Sequence, residues 1–341
     1  MRGILIAAAL VALAASPAFA AFTGSLYYSN FANHHVYRLD VTSNVPGATT
    51  DLAALPGADG LMFNPLNSSQ ILVGGQGTNN VYNIGTTGGS FGPVNTTSIV
   101  NGSYHLTQYF APVGAPSPMV AGLAEPGIVG AQIVTSPGYS GVVPNTATVV
   151  DLITGVATAH TISGIGEVAG LQSKGTTLYA ANSNDDGVGG SLFTLNLATN
   201  TATGVGVTGS HDIHGLWLDQ KTGWLLATGM KHLEAIDISS GTPTLVYDWD
   251  LSALIPESPS DQGHTDQVSS DAFGNVFVAA NSGEIIYVDL NAATPTPMML
   301  KDVGLGLDDI LTGPSTVPEP RTLLLAGLGL VGAGVLKRRW S

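Results

Sequence analysis

A chain of 341 residues with 44% hydrophobic and only 10% charged side chains can bury a large core and leaves little room for long disordered tails. The absence of cysteine excludes a disulfide framework and any thiolate metal site. Residues 21–316 hold five basic side chains (Arg38, Lys174, Lys221, Lys231, Lys301) against 23 carboxylates, and this net −18 excludes nucleic acid and anionic lipid surfaces as partners.

The first twenty residues, MRGILIAAALVALAASPAFA, place Arg2 before an apolar run from Ile4 to Ala15 and end on Ala18-Phe19-Ala20. This is the plan of a secretory signal peptide. It predicts a short helix, passage through the Sec translocon, and cleavage by signal peptidase between Ala20 and Ala21. The apolar run is too short to serve as a retained membrane span.

From residue 21 to 316 the pattern changes to short runs of Val, Ile, Leu, Tyr and Thr broken by Gly, Asn, Asp and Pro, with no long amphipathic helix. GSLYYSN (24–30) and VYRLDV (36–41) read as two later strands of a unit that has no opening strand. A weak repeat follows: DGLMFN (59–64), ILVG (71–74) and VYNI (81–84). A more degenerate copy opens at Tyr104-His105-Leu106 and closes at Val149-Val150-Asp151-Leu152. Three clear copies occupy residues 169–200, 214–241 and 266–291, each a first strand, a polar turn, a small-residue strand, a second turn and a strand. Their last strands end on Leu195-Asn196-Leu197, Ile236-Asp237-Ile238 and Val288-Asp289-Leu290. Leu307–Thr312 is an opening strand with nothing after it, the piece that the first unit lacks.

Such repetition predicts an all-β propeller of six blades, in which the N- and C-terminal strands share one closing blade and leave no free edge. The aligned positions 59, 105, 169, 214, 266 and 308 fit the usual blade length except between 105 and 169, where a seventh, degenerate blade would fit. The small residues of the middle strands (Leu225–Thr228, Val276–Ala279, Leu178–Ala181) suggest that these strands line the crowded axis.

The Asp-x-x-Gly-Asn-hydrophobic-aromatic-Val-Ala core at 271–279 resembles units of the NHL and SMP-30/gluconolactonase-like propellers. That resemblance implies the fold rather than an activity. The residue just before each opening strand is Asp59, His105, Ala169, His214, Asp266 and Asp308, so five of six are Asp or His at one mouth of the predicted channel. Glu167, His211, Asp212, His264 and Asp309 lie close in sequence. Carboxylate oxygens with imidazole nitrogens could hold a divalent cation, calcium or a transition metal, or raise a general base. They could equally cap backbone groups and tie neighbouring blades, with no cofactor at all. The lactonase-like resemblance implies an acidic, amide-bearing calcium site here, and histidines stand in place of those ligands. Two further polar segments, His34-His35 and Asn182–Gly187, read as solvated turns, the second lacking the closing Glu of an EF-hand loop. No P-loop or His-Glu-x-x-His motif occurs.

The last residues, 317–341, read Val317-Pro318-Glu319-Pro320, a glycine-rich apolar stretch from Thr322 to Leu336, then Lys337-Arg338-Arg339. The stretch predicts a short membrane helix whose basic end stays cytoplasmic, with the prolines holding an extended segment outside. This order resembles the PEP-CTERM sorting signal of Gram-negative bacteria that build exopolysaccharide matrices. The resemblance implies an exosortase as partner, transient inner-membrane anchoring, and then a cell-surface or extracellular location. Three segments follow: signal peptide 1–20, propeller 21–316 and tail 317–341. The function expected is a non-catalytic propeller that binds exopolysaccharide or another small ligand. The alternative is a metal-dependent lactonase or lyase-like hydrolase using the Asp/His ring.

Overall fold

The computed structural model describes residues 21–100, 102–109, 132–137, 145–182, 191–207, 211–256 and 264–313. The signal segment, the tail, the helices expected in both, and the polar loop after Asn182 lie outside these residues.

Among the described residues every regular element is a strand, and the strands form six antiparallel sheets of four. Blade 1 begins with β1 (Gly24–Asn30), β2 (His35–Thr42) and β3 (Val45–Ala54). Blade 2 is β4 (Ala58–Asn64), β5 (Asn67–Gly75), β6 (Tyr82–Gly85) and β7 (Gly92–Pro93). Blade 3 is β8 (Leu106–Tyr109), β9 (Gln132–Thr135), β10 (Thr146–Asp151) and β11 (Ala157–Thr161). Blade 4 is β12 (Leu171–Lys174), β13 (Thr177–Asn182), β14 (Ser191–Asn196) and β15 (Thr201–Gly204). Blade 5 is β16 (Gly215–Leu218), β17 (Leu225–Gly229), β18 (His232–Asp237) and β19 (Thr244–Asp250). Blade 6 is β20 (Thr265–Ser270), β21 (Asn275–Ala280), β22 (Glu284–Asp289) and β23 (Met298–Asp302). Finally β24 (Leu307–Thr312) pairs with β1, with Leu26 opposite Thr312 and Tyr28 opposite Ile310.

The chain is therefore a six-bladed β-propeller closed by strands from both ends of the body. The long interval between positions 105 and 169 is not a seventh blade. Its excess falls at 110–131, between β8 and β9 of one sheet, outside the described residues.

Strands β4, β8, β12, β16, β20 and β24 touch one another in a ring around the axis. The small-residue strands expected at the axis are second from it: β13, β17 and β21. Their continuous apolar character has a different cause, because neighbouring blades cover both faces of a second strand. In β21, Phe277 and Ala279 pack with Leu26 and Tyr28 of blade 1, while Val276, Val278 and Ala280 pack with Leu226 and Leu233 of blade 5. Each of six apolar clusters fills the space between two adjacent blades. Crowding at the axis is met instead by glycines at the start of the innermost strands. A Cβ on Gly60, Gly170 or Gly215 would lie 1.9, 2.2 or 2.2 Å from a carbonyl oxygen of the next blade (Tyr104, His214 and Asp266 respectively).

Candidate functional site

The innermost strands all start at one mouth of the axis, so a residue at the start of each is carried toward a common point. The structure brings Asp59, His105, His214, Asp266 and Asp308 together there, and Asp309 joins them. All are buried except His214, whose side chain is 15% exposed. His214 Nε2 lies 2.7 Å from Asp266 Oδ1 and 3.3 Å from His105 Nε2. The other nitrogen of His105, Nδ1, is 3.6 Å from Asp309 Oδ1 and 3.5 Å from the Gln267 amide nitrogen. Asp308 bonds to both Asp59 and Asp266, and a bond between two carboxyl groups needs a proton in it. Asp309 Oδ2 accepts the Leu61 N–H at 2.7 Å, and the Asp309 N–H donates to Ser29 Oγ at 3.0 Å.

Backbone bonds correct the repeat register of blade 3. Ala169 N–H donates to Ala181 O and Ala181 N–H to Gly170 O; in blade 3 the counterparts are Tyr104 N–H to Ser136 O and Ser136 N–H to His105 O. His105 is thus equivalent to Gly170 and to Asp309, one place beyond the position that the sequence repeat assigns it. The degenerate blade reaches the same point with a longer side chain from the next residue.

The electrostatics follow from burial and from the charges packed beside each group. Burial pushes Asp59 and Asp308 well above the ordinary carboxylate range, and carboxylate neighbours push them further: Asp309 on Asp59, Asp59 on Asp308. Burial raises Asp309 too, although His105 pulls it down. Asp266 is lowered, because His214 at 2.7 Å outweighs the burial that opposes it. In both imidazoles burial works downward and is overcome, by Asp309 at His105 and by Asp266 at His214, so both are raised. The hub therefore favours the protonated acid at Asp59 and Asp308, while Asp266 and His214 each favour the other's charged form.

The donor set can be tested against a cation. His105, His214 and Asp266 each offer a ligand atom within 4.8 Å of the others, and Asp59 Oδ2, Asp308 Oδ2 and Asp309 Oδ1 are buried without a hydrogen-bond partner. Two imidazoles with carboxylates suit a transition metal; they do not suit calcium, which takes six to eight oxygens.

The secondary candidates divide. Glu167 sits before β12, donates its N–H to Asn182 Oδ1 and acts on His214 through its charge. His211 turns to blade 5, where its Nδ1 lies 3.0 Å from Glu234 Oε1. His264 stands just before β20; its carbonyl accepts the Asn281 N–H, and no polar contact ties its side chain to the hub among the described residues.

At the other end of the innermost strands, about 10 Å further along the axis at roughly 3.3 Å per residue, lies a feature that sequence reasoning missed. A funnel of about 690 Å³ opens there, with contributions from all six blades. Phe63, Trp217 and Phe273 supply aromatic surface, and Gln108, Gln172 and Gln220 supply amides. Trp217 packs against the cluster between blades 5 and 6 and against the cluster between blades 1 and 2, so its indole reaches across the axis between hub and funnel. Its Nε1–H is buried and has no partner among the described residues.

Comparison with known proteins bears on the tail and on the fold separately. Residues 316–339 match the PEP-CTERM protein-sorting motif. No curated protein matches the chain. Among solved structures, one from a nidogen/laminin complex is 12% identical with a TM-score of 0.60, over 86% of this chain and 99% of that one. The β-propeller domain of Myceliophteria thermophila Cps50 (Swd1) is 11% identical with a TM-score of 0.53, over 86% and 90%. A PQQ-bound aldose sugar dehydrogenase from Streptomyces coelicolor is 14% identical with a TM-score of 0.51, over 77% and 87%. At these identities the likeness is one of fold alone. The tail motif indicates an exported protein processed at the membrane by an exosortase and delivered to the cell surface.

Proposed function

We propose that the processed protein, residues 21–316, is a non-catalytic carbohydrate-binding propeller of a Gram-negative surface or biofilm matrix, and that a neutral glycan of the exopolysaccharide enters the funnel. The observation that carries this reading is the buried, unpartnered Trp217 N–H beside a 690 Å³ funnel lined by aromatic rings and glutamine amides. Rings stack on the C–H faces of sugars, amides bond to paired hydroxyls, and an orphan indole donor gains a partner when a hydroxyl arrives. The net −18 of the body disfavours an acidic polysaccharide.

The Asp/His hub is the structural centre of this reading rather than its reaction site. Its carboxylates bond between blades, as Asp309 does to Leu61, and its buried atoms leave only His214 partly open. The Sec translocon, signal peptidase acting between Ala20 and Ala21, and exosortase acting near Val317–Pro320 would act in that order.

Titration of the secreted protein with neutral oligosaccharides followed by calorimetry tests the proposal. We expect binding that Phe273→Ala weakens about tenfold, equivalent to about 1.4 kcal/mol. Glycan or lactone turnover that disappears in His214→Gln would instead support the hydrolase alternative, and indifference to Phe273→Ala would remove the ligand from the funnel.

A further inference from the structure

Blade 5 carries a second cluster that neither the hub nor the funnel uses. His232 and Glu234 stand two apart on β18 and so share a face, and Glu234 is paired with Asp248 across the β18–β19 ladder. His211 reaches the same face from the segment before β16. The two imidazoles stack at 3.6 Å with planes 14° apart, and both direct Nδ1 at the carboxylates. His232 Nδ1 is 2.8 Å from Asp248 Oδ1, His211 Nδ1 is 3.7 Å from the same oxygen, and His211 Nδ1 is 3.0 Å from Glu234 Oε1.

These spacings bracket the roughly 3.4 Å that separates two ligands of one tetrahedral ion with bonds of about 2.0–2.1 Å. An independent observation points the same way. The Glu234 side chain is only 3% exposed; its Oε1 also accepts the His211 N–H at 2.6 Å, while its Oε2 is buried without a hydrogen-bond partner. His211, His232 and Asp248 are partly exposed at 41%, 21% and 33%, so an ion can enter from solvent.

From this geometry we infer that His211, His232 and Asp248 form a binding site for a divalent transition-metal ion of the zinc class, with Glu234 positioning His211 beside it. Two imidazole nitrogens with one carboxylate make a borderline-soft donor set that suits Zn²⁺ with a fourth position open to solvent, and does not suit calcium. The ion would clip the segment leading into β16 to the outer half of its own blade, with no demand on the axis.

The test is zinc binding by the secreted protein, followed by calorimetry and by the visible absorption of a Co²⁺-loaded sample. Wild type should bind one tetrahedral ion at this site, and His232→Ala should weaken that binding at least about 100-fold. Asp248→Asn, which keeps shape and removes only charge, should do the same if His232→Ala fails to fold. His214→Gln reports on the hub and should leave the blade 5 ion in place. No ion in wild type, or an ion that His214→Gln removes while His232→Ala and Asp248→Asn leave it, overturns the assignment.

Discussion

The two mouths of the propeller axis are built from the same six strands, yet they handle polar atoms in opposite ways. At the starts of those strands, four carboxyls and one imidazole are buried, a second imidazole is half-buried, and they turn on one another across blade boundaries. At their ends, the funnel keeps aromatic and amide surface open, and the one buried indole donor there has no partner. Although Asp59 Oδ2, Asp308 Oδ2 and Asp309 Oδ1 lack a hydrogen-bond partner, the hub's ion pairs and hydrogen bonds run from blade to blade, so the first mouth is suited to holding blades together. An open mouth with an unfilled donor is suited to holding something else.

The largest expected effect would come from breaking the hub. Asp266→Ala removes the carboxylate 2.7 Å from His214 Nε2, the strongest of the charges that raise this imidazole, and leaves only the weaker pull of Glu167 and Asp212. We expect a loss of about 3–5 kcal/mol in chemical denaturation of the secreted protein. In the funnel, Phe273→Ala removes a ring that is 36% exposed and should change stability by no more than about 0.5 kcal/mol. Equal losses at the two positions would erase the distinction between the two mouths.

The amino-acid sequence discloses the two mouths unequally. The hub is legible in it because four blades contribute from one repeat position, so Asp59, His214, Asp266 and Asp308 stand in register. His105 reaches the right place from the wrong register, because blade 3 has lost the Gly that other blades use and its neighbour takes over. The closing blade is legible because Leu307–Thr312 lacks later strands and Gly24–Asn30 lacks an earlier one. The funnel is not legible: its residues follow no repeat type, and Trp217 within Gly215–Leu218 reads as an ordinary core position. The blade 5 cluster is also hidden, since it joins a residue before β16 to a cross-strand pair that only the β18–β19 register brings opposite.

A smaller effect, with a definite sign, lies in the pH dependence of the hub. Asp59, Asp308 and Asp309 are raised in the folded state, so folding becomes less favourable as pH climbs above their unfolded value of about 3.8. His105 and His214 are raised as well; their contribution is complete below about 6.5 and is lost as pH rises through their folded values. Only Asp266, being lowered, favours folding above 3.8 and loses that as pH falls. The thermal midpoint should therefore be higher at about pH 5.5 than at about pH 8.5. Asp308→Asn, which imitates the protonated acid, should narrow that gap by stabilising the protein mainly at the higher pH. A midpoint that rises with pH would mean the hub carboxylates are ionised and held by something other than protons.

The smallest expected change in stability comes from the atom that separates hub and funnel most sharply. Trp217→Phe deletes an N–H that is buried without a partner and keeps most of the ring that spans the axis. Losing part of the ring destabilises through a small void, while losing an unsatisfied donor stabilises; the two should offset to within about 1 kcal/mol. The same substitution should weaken glycan binding several-fold, because the donor that has no use in the free protein is the one a sugar hydroxyl would fill. An indole used only for packing would show the reverse: a measurable loss of stability and an unchanged affinity.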